Sequence, residues 1–364
     1  EHNPYTFLHI INPDYKNKVK SRGIKKFKLV KEKYNEFIDK NHLIQDKMPS
    51  YYIYQQQNTT HTFKGIIAAT SLEDYINGKI KKHEHTITER VEMFRDYLET
   101  TGFNADPVLL SYPKNIAIDN LLLKYEKQRS EYEFTTTNTV LHKLWVINDE
   151  NDIRSITKEF NKIETLYIAD GHHRCASSSL LTKTEKTEFN NHFMSFLIDE
   201  SQLHIINFNR LIKGLNNLTE EAFLNKIKIN FNLIENIECS PSRQDEIGMY
   251  LKGKSYLLKA KKDSFINDCV NRLDPSILSN NILNPILNII DEKTDKNIKF
   301  MSGSIPLSEL QKLVDSDEYQ LAFILKPIPI SAIKEVADKN KFMPPKSTYI
   351  EPKLRSGLTI YLLD

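Results

Sequence analysis

Apolar residues recur along the first half of the chain with the two spacings that distinguish helices from strands. Phe27, Val30, Tyr34 and Phe37 return at helical intervals, which predicts an amphipathic helix over 25–40. Two short apolar runs around a polar turn predict a hairpin. These patterns together predict helices over 25–40, 86–102, 115–128 and 151–162, and strands over 51–54, 63–69, 79–82, 107–112, 131–136, 139–148 and 166–169.

One predicted helix carries signals at both of its ends. Thr86 and Glu89 have the spacing of a capping box, in which each side chain satisfies a backbone N–H of the first turn. Gly102 stands where a left-handed residue commonly closes a helix. The sequence therefore predicts a helix bounded by Thr86 and Gly102.

The second half of the chain continues the mixture of helices and strands, without an internal repeat. A boundary between two domains is predicted near 210–215, and the fold class is α+β with mixed sheets. The predicted elements are helices over 219–228, 276–289, 306–314 and 331–338, and strands over 192–198, 203–209, 246–260, 297–301, 319–326 and 358–363.

Composition narrows the classes of function. The 364 residues include 50 Lys+Arg and 48 Asp+Glu, a formal net charge of +2. So small a charge argues against a protein that coats nucleic acid by electrostatics, and no helix-turn-helix pattern is recognisable. We therefore do not expect nucleic acid as a partner. The 17 Tyr and 18 Phe argue against a disordered chain.

Three cysteines, without a CxxC pair, do not form a disulfide framework and favour a reducing cytoplasm. No apolar run approaches the roughly 20 residues of a membrane helix, so a membrane is not expected as a partner. The opening EHNPYTFLHI has neither an initiator Met nor the pattern of a signal peptide. We expect that this chain begins inside a longer protein and that an N-terminal segment precedes it.

The densest polar cluster is Asp170-Gly171-His172-His173-Arg174, between an apolar strand and a helical run. A strand, a glycine turn and a helix N-terminus form a natural anion site, because free N–H groups and the helix dipole point at the ligand. Arg174 can grip phosphate oxygens, Asp170 can hold a metal ion or a hydroxyl, and the histidines can contact phosphate or transfer protons. The alternative is a tight turn with exposed histidines. Zinc is disfavoured because adjacent His side chains diverge and no HExxH or CxxC accompanies them.

A second cluster, KKHEHT at 81–86 followed by Arg90, lies between a predicted strand and the helix from Thr86. Glu84 would stand just before that helix, beside a strand end, where a carboxylate can accept a proton from a substrate hydroxyl. The alternative is a solvated loop whose acid complements the helix dipole.

A third cluster, at 343–357, is a proline-stiffened loop rich in cations and hydroxyls. Such a loop suits a phosphate or carboxylate ligand, and its candidate ligands are Lys346, Ser347, Thr348, Lys353 and Arg355. The alternative is a surface loop that closes the fold.

The three clusters, read together, resemble the bacterial DUF1015 family over essentially the whole chain. The matching segments are NPYTFLHI, NGKIKKHEHT, TGFNADPVLLSY, LYIADGHHR and MPPKSTYIEPKLRSGL. That family is similar to the ParB/sulfiredoxin superfamily, which includes free L-serine kinases and CTP-binding ParB proteins. The resemblance implies a nucleotide-binding core over 1–212 with an insertion at about 113–163. It also implies a C-terminal α+β domain over 213–364, whose last loop and strand return to the site.

The resemblance also implies roles for individual residues. Glu84, Asp170 and His172 would be catalytic, and the turn from Asp170 to Arg174, including Gly171 and His173, would bind the nucleotide. ATP or ADP would be the phosphate donor, with Mg²⁺, and a small amino acid would be the acceptor. The substrate-binding candidates are His83, Thr86, Arg90, Lys346, Ser347, Thr348, Lys353 and Arg355.

The leading hypothesis is therefore a nucleotide-dependent kinase that phosphorylates the hydroxyl of free L-serine or a similar amino acid. The first alternative is a ParB-like switch that binds nucleotide at the same turn and changes conformation without catalysis. The second alternative is a hydrolase or redox enzyme that uses the His pair or Cys175, although a buried structural role is expected for that thiol. A homodimer is compatible with each hypothesis.

Overall fold

A computed structural model describes residues 3–16, 20–184 and 187–363. The chain divides into two units, because strand pairing changes sheet at two points. Unit 1 contains the chain up to Leu203 and again from Pro352 onward, and unit 2 contains His204–Glu351. Each unit has its own sheet and its own apolar core.

Both divisions differ from the expected boundary after residue 212. The strand Phe208–Ile212 pairs with Ile298–Ser302 and Leu321–Ile324, so it belongs to unit 2. At the other end, Tyr361–Leu362 pairs with Phe103–Asn104, which returns the terminal segment to unit 1. Strand pairing between distant parts of the chain therefore sets the division, and no change of composition in the sequence marks it.

The helices and strands alternate along both units. The α-helices are α1 Leu8–Ile11, α2 Gly23–Asp39, α3 Leu72–Ile76, α4 Thr88–Thr101, α5 Ile116–Glu126, α6 Glu150–Asn161, α7 His172–Thr184, α8 Glu220–Asn230, α9 Asp274–Leu278, α10 Leu307–Asp315 and α11 Ile330–Asp338. The strands are β1 Tyr51–Gln57, β2 Thr62–Ser71, β3 Ile80–Lys81, β4 Phe103–Asn104, β5 Val108–Tyr112, β6 Tyr132–Thr135, β7 Leu141–Ile147, β8 Leu166–Asp170, β9 His192–Asp199, β10 His204–Ile206, β11 Phe208–Ile212, β12 Phe231–Glu235, β13 Glu246–Leu251, β14 Lys254–Ala260, β15 Ile298–Ser302, β16 Leu321–Ile324, β17 Tyr349–Glu351 and β18 Tyr361–Leu362.

Unit 1 is built on an eight-stranded mixed sheet in the order β3-β8-β5-β9-β2-β1-β7-β6. The β3–β8 and β5–β9 pairs are parallel and the others are antiparallel. Because strand side chains alternate between faces, one face supplies Ile53, Ile66, Leu110 and Trp145 to a core covered in part by α5 and α6. The expected hairpin is confirmed as β1–β2. The segment 113–163 contributes α5, β6, β7 and α6. Of these, β7 and β6 extend the sheet beyond β1.

Local chemistry explains where several of these helices begin and end. Asn115 caps α5, because its side chain accepts from the N–H groups of Ala117 and Ile118. Asp149 caps α6 in the same way. Gly102 closes α4 with a left-handed φ of 74°, as the sequence predicts.

Unit 2 is built on a six-stranded antiparallel sheet in the order β12-β14-β13-β16-β11-β15, with β10–β17 as a separate pair. The helix expected over 276–289 is replaced by α9 and a π-helix, Ser279–Leu283. Asn281 explains part of this change. Its side chain donates to the carbonyl oxygen of Ile277, the acceptor that a regular α-helix reserves for the backbone N–H of residue 281. The strand expected over 203–209 is likewise divided between β10 and β11.

Candidate functional site

A single glycine connects the buried strand β8 to helix α7. Gly171 has a φ of 101°, a conformation that side-chain-bearing residues rarely adopt. It turns the chain directly from Asp170, at the end of the strand, to His172, the first residue of the helix. The predicted strand–glycine–helix unit is therefore present, and the N-terminus of α7 lies at the edge of the sheet.

The short strand β3 brings the second predicted cluster to the same edge. It pairs in parallel with β8, through Ile80 with Leu166 and Lys81 with Tyr167. Because parallel strands end at the same edge of a sheet, the residues after β3 lie beside the β8–α7 turn. Glu84 Oε2 consequently lies 3.6 Å from Nδ1 of His172, and the Glu84 side chain is 45% exposed.

Two buried imidazoles lie beneath Glu84. His83 and His172 are 1% and 4% exposed, and their rings meet edge to face with centroids 4.6 Å apart. Burial lowers the pKa of His83 to about 4, against the opposing charge of Asp170. Burial, followed by the charge of His83, holds the pKa of His172 well below its ordinary 6.5. Both rings are therefore neutral at physiological pH.

The start of helix α4 is held by α7 and not by the expected capping box. The helix begins at Thr88 with Ile87 as its N-cap, and no side chain caps it within α4. The backbone N–H of Ile87 instead donates to Nε2 of His173, at 3.1 Å. The capping box of Thr86 and Glu89 was thus a wrong prediction, because the helix begins later, with Ile87 as its N-cap.

Asp170 lies between two cations. Arg174 Nη2 donates to its Oδ2 at 3.2 Å, and Lys353 Nζ lies 3.4 Å from its Oδ1. The guanidinium of Arg174 also donates to the carbonyl oxygen of Pro107. A Cβ at Gly171 would lie 3.1 Å from Arg174 Nε, so the glycine leaves room for this side chain. Each of the three charged groups was predicted as a site residue, and they form one cluster.

Lys353 belongs to a terminal segment, residues 352–357, that is anchored to unit 1. Gln56 Nε2 donates to the carbonyl oxygen of Lys353 at 3.1 Å, and the N–H of Gly357 donates to Ala105 O at 2.8 Å. Residues 352–357 therefore contact other parts of unit 1, and the expected return of the terminal loop to the site stays a prediction. Gln56, a buried polar residue that contacts this segment, was not predicted as part of a site.

Arg355, in the same segment, acts on a third buried histidine, His142 of β7. Burial, and then the charge of Arg355, lowers the pKa of His142 to about 4. Nδ1 of His142 lies 2.8 Å from the hydroxyl of Tyr54, which is also buried. Neither Tyr54 nor His142 was predicted as a site residue. The feature of the sequence that could have indicated them is the run of polar glutamines that follows Tyr54 within a buried strand.

The remaining candidates lie apart from this cluster or in unit 2. Arg90 is exposed on α4, with its guanidinium over the ring of Phe94. Thr86 lies half-buried in the loop before α4. In unit 2, the backbone of Lys346 accepts from Arg210, and Ser347 donates to Pro344 O at 2.7 Å.

Thr348, the third candidate of unit 2, is half-buried. Its assignment to substrate binding stays a prediction, as it does for Lys346 and Ser347. Cys175 is buried, and burial raises the pKa of its thiol, which does not favour a nucleophilic role.

Two cavities lie elsewhere. One of about 590 Å³ in unit 2 is lined by Lys262, Arg272 and Glu335, and one of about 150 Å³ in unit 1 is lined by Tyr51 and Phe160. Neither contains a residue of the Glu84–Asp170–Lys353 cluster. In the part of the chain that the structure describes, no helix is both long enough and apolar enough to span a membrane.

Comparisons with solved structures give distant similarity. A free serine kinase in complex with AMP matches with a TM-score of 0.44 and 14% identity, over 82% of this chain and 92% of that one. SbnI from Staphylococcus aureus, truncated at its C-terminus, matches with a TM-score of 0.45 and 13% identity, over 82% of this chain and 87% of that one. A conserved hypothetical protein from Pyrococcus furiosus matches with a TM-score of 0.40 and 14% identity, over 82% of this chain and 95% of that one. Similarity at this level carries no argument about function.

Comparison with curated protein sequences gives no significant match. A family model does match: "Protein of unknown function (DUF1015)" covers residues 1–276, about three quarters of the chain. This match confirms the family resemblance over residues 1–276, which include both Glu84 and the Asp170–Arg174 turn. The motif at 343–357 lies outside the matched residues. The chain belongs to the DUF1015 family.

Proposed function

We propose that this protein is a nucleotide-dependent small-molecule kinase whose acceptor is the hydroxyl of free L-serine or a similar amino acid. The observation that carries the proposal is the parallel pairing of β3 with β8, which puts a half-exposed carboxylate beside the glycine turn between β8 and α7. A proton acceptor next to a phosphate site is the minimum that phosphoryl transfer to an alcohol requires. The ParB/sulfiredoxin-like character of unit 1 and the choice of serine rest on the sequence resemblance.

In the proposed reaction, the acceptor hydroxyl oxygen attacks the terminal phosphorus of ATP or ADP. The bond from that phosphorus to its bridging oxygen breaks, and Glu84 takes the hydroxyl proton. The products are the O-phosphorylated amino acid and a nucleotide shortened by one phosphate. Catalysis of this kind depends mainly on position and on compensation of charge, so the surrounding cations matter as much as the base.

The nucleotide phosphates would lie over the β8–α7 turn. Gly171 lets the backbone approach the phosphates closely, and the N–H groups at the start of the 13-residue helix α7 point toward them. Arg174 and Lys353 supply positive charge at the same place. Both cations contact Asp170, so we propose that phosphate competes with Asp170 for them.

The structure does not fit a resident magnesium ion. Within residues 3–16, 20–184 and 187–363, no group of three or more His, Cys, Asp or Glu side chains is arranged to hold a metal. The carboxylate of Asp170, which the sequence suggests as a ligand, is engaged by Arg174 and Lys353. Mg²⁺ commonly binds through substrate phosphates and few protein groups, so we propose that any magnesium enters with the nucleotide.

The contacts proposed for the amino-acid acceptor come from the sequence. Thr86, Arg90 and Arg355 of unit 1 remain proposed contacts for an amino-acid substrate. The three free cysteines support the proposal that the reaction takes place in a reducing compartment, the cytoplasm.

The test is an assay of the purified protein with Mg²⁺, either ATP or ADP, and each free amino acid in turn. Mass spectrometry would detect a phosphorylated acceptor, and nucleotide binding would be measured in parallel. We expect product with L-serine or a close analogue. Tight nucleotide binding without phosphorylation of any acceptor would contradict the kinase and support the nucleotide-dependent switch.

A further inference from the structure

We infer that His172 is a positioning residue for Glu84, with its Nδ1–H directed at the Glu84 carboxylate and its tautomer set by the backbone of His83. This role differs from the phosphate contact and proton transfer that the sequence suggests for His172. The inference rests on the proposed function for its catalytic consequence. Its structural part, the tautomer and the direction of the Nδ1–H, can be tested without any activity.

The tautomer follows from a hydrogen bond whose direction is fixed. The backbone N–H of His83 lies 3.4 Å from Nε2 of His172. A backbone N–H can only donate, so Nε2 must present its lone pair. A neutral imidazole carries one proton, and that proton must then be on Nδ1.

The Nδ1–H faces the carboxylate of Glu84. The distance from Nδ1 to Oε2 is 3.6 Å, slightly beyond a hydrogen bond. Contacts of this kind are often long in ligand-free sites and shorten when substrate is bound. A neutral ring can donate to Glu84 without supplying a positive charge, so the carboxylate is oriented but keeps its ability to accept a proton.

Burial excludes the alternative role for the same ring. The side chain of His172 is only 3% exposed, and its two nitrogens are directed at His83 and Glu84. A nucleotide phosphate over the turn therefore meets neither nitrogen. His83 packs edge-on against this ring, and neither of its own ring nitrogens has a hydrogen-bond partner among the described residues. Burying an imidazole without hydrogen-bond partners costs free energy, which is consistent with a site whose side chains are held in fixed positions.

The first experiment uses the wild-type chain labelled with ¹⁵N-histidine. Long-range ¹H–¹⁵N NMR distinguishes a protonated from an unprotonated ring nitrogen, and the His172 signals are assigned by their loss in His172→Asn. We expect a protonated Nδ1 and an unprotonated Nε2 at neutral pH. A proton on Nε2, or on both nitrogens, would overturn the inference.

The same spectra test the partner of the Nδ1–H. Glu84→Gln should shift the Nδ1–H resonance of His172, because the group that faces it changes. Glu89→Gln, an exposed residue of the first turn of α4, is the matched control and should leave that resonance in place. An unchanged resonance in Glu84→Gln would overturn the assignment of Glu84 as the partner.

Two substitutions of His172 distinguish its positioning of Glu84 from the packing of its ring. His172→Asn keeps an N–H donor near the position of Nδ1, whereas His172→Gln keeps an amide near Nε2 and loses that donor. We expect the Gln variant to lose about 10- to 100-fold in kcat, the value of one hydrogen bond to a charged group, and the Asn variant to lose much less. Equal losses, or a larger loss in the Asn variant, would contradict positioning through Nδ1. Wild-type protein without kinase activity would contradict the proposed function, and the NMR result would then decide the tautomer independently.

Discussion

At the scale of single residues, the candidate site contains two carboxylates with different surroundings. Glu84 faces a neutral imidazole, whereas Asp170 faces two cations. Two cations hold the Asp170 carboxylate through ion pairs, whereas the Glu84 carboxylate is 45% exposed and can be reached by a substrate hydroxyl. The two acids thus suit different tasks: Glu84 suits proton transfer, and Asp170 suits holding Arg174 and Lys353 in place.

Arg174 gives the first prediction. Arg174→Ala removes a forked cation from the turn and leaves Asp170 with one partner, so nucleotide affinity should fall about 10- to 100-fold. Isothermal titration with ATP and ADP would measure the change. Arg154→Ala, which removes an exposed arginine of α6, is the control and should bind nucleotide as the wild type does. Unchanged affinity in Arg174→Ala would remove the turn from the nucleotide site.

Residues whose conformation depends on the neighbouring chain could be predicted from the sequence. Residues whose contacts come from a distant part of the chain could not. Gly102 was predicted correctly because the left-handed conformation at a helix end depends on the chain around it. Thr86 was predicted incorrectly as a cap, because the helix begins at Thr88 with Ile87 as its N-cap, and the N–H of Ile87 donates to His173, far along the chain. The pairing of Lys353 with Asp170 could not be predicted for the same reason.

At the scale of elements, the β8–α7 turn determines the geometry of the site. Gly171→Ala should weaken nucleotide binding at least about tenfold, because the new Cβ would lie against the Arg174 guanidinium in a backbone conformation that alanine resists. The measurement is nucleotide affinity by titration, with thermal stability measured alongside.

Gly78→Ala is the matched control for this prediction. Gly78 has a comparable φ of 80°, but a Cβ there would meet nothing within 4 Å. Both variants should therefore carry a similar backbone cost, about 1–2 kcal/mol of stability. Only Gly171→Ala should lose nucleotide affinity. Equal affinities in the two variants would show that the turn does not hold Arg174 for the ligand.

The elements themselves were largely readable from the sequence, but their arrangement was not. Strand β8, the glycine and α7 follow directly from a local pattern of apolar and polar residues. The two-residue strand β3 is too short to specify a partner, and its parallel pairing with β8 depends on contacts across the chain. That pairing is what brings Glu84 to the turn, so the composition of the site could be predicted and its assembly could not.

At the scale of the whole molecule, stability should depend on pH through a carboxyl group of unit 2. Asp274 is buried at the start of α9, and burial raises its pKa from 3.8 to about 7, against the hydrogen bond that the backbone N–H of Asp245 donates to it. The charge of the Asp245 carboxylate adds to the rise, and the charge of Lys326 opposes it. The folded state therefore binds this proton more tightly than the unfolded state. The stabilisation is complete below about pH 4 and is lost as the pH rises through about 7.

The corresponding prediction compares the wild type with Asp274→Asn. Each tenfold change in proton affinity is worth about 1.4 kcal/mol, so between about pH 4 and pH 7 the wild type should lose roughly 4 kcal/mol of stability relative to Asp274→Asn. Urea unfolding followed by circular dichroism would measure it.

Asp268→Asn is the control for Asp274→Asn. Hydrogen bonds from the backbone and side chain of Asn271 lower the pKa of Asp268 to about 2, so this group titrates below the relevant range. The control should reproduce the wild-type pH dependence between about pH 4 and pH 7. A pH dependence that is identical in Asp274→Asn would contradict the raised pKa.

The proposed kinase activity depends most on Glu84 acting as the base of a phosphoryl transfer. The direct test measures O-phosphoserine formation and nucleotide affinity for the wild type, Glu84→Gln and the control Glu89→Gln. We predict that product formation falls about 100-fold or more in Glu84→Gln, a typical value for loss of a general base, with nucleotide affinity retained and Glu89→Gln fully active. Product formation at the wild-type rate by Glu84→Gln would contradict the account.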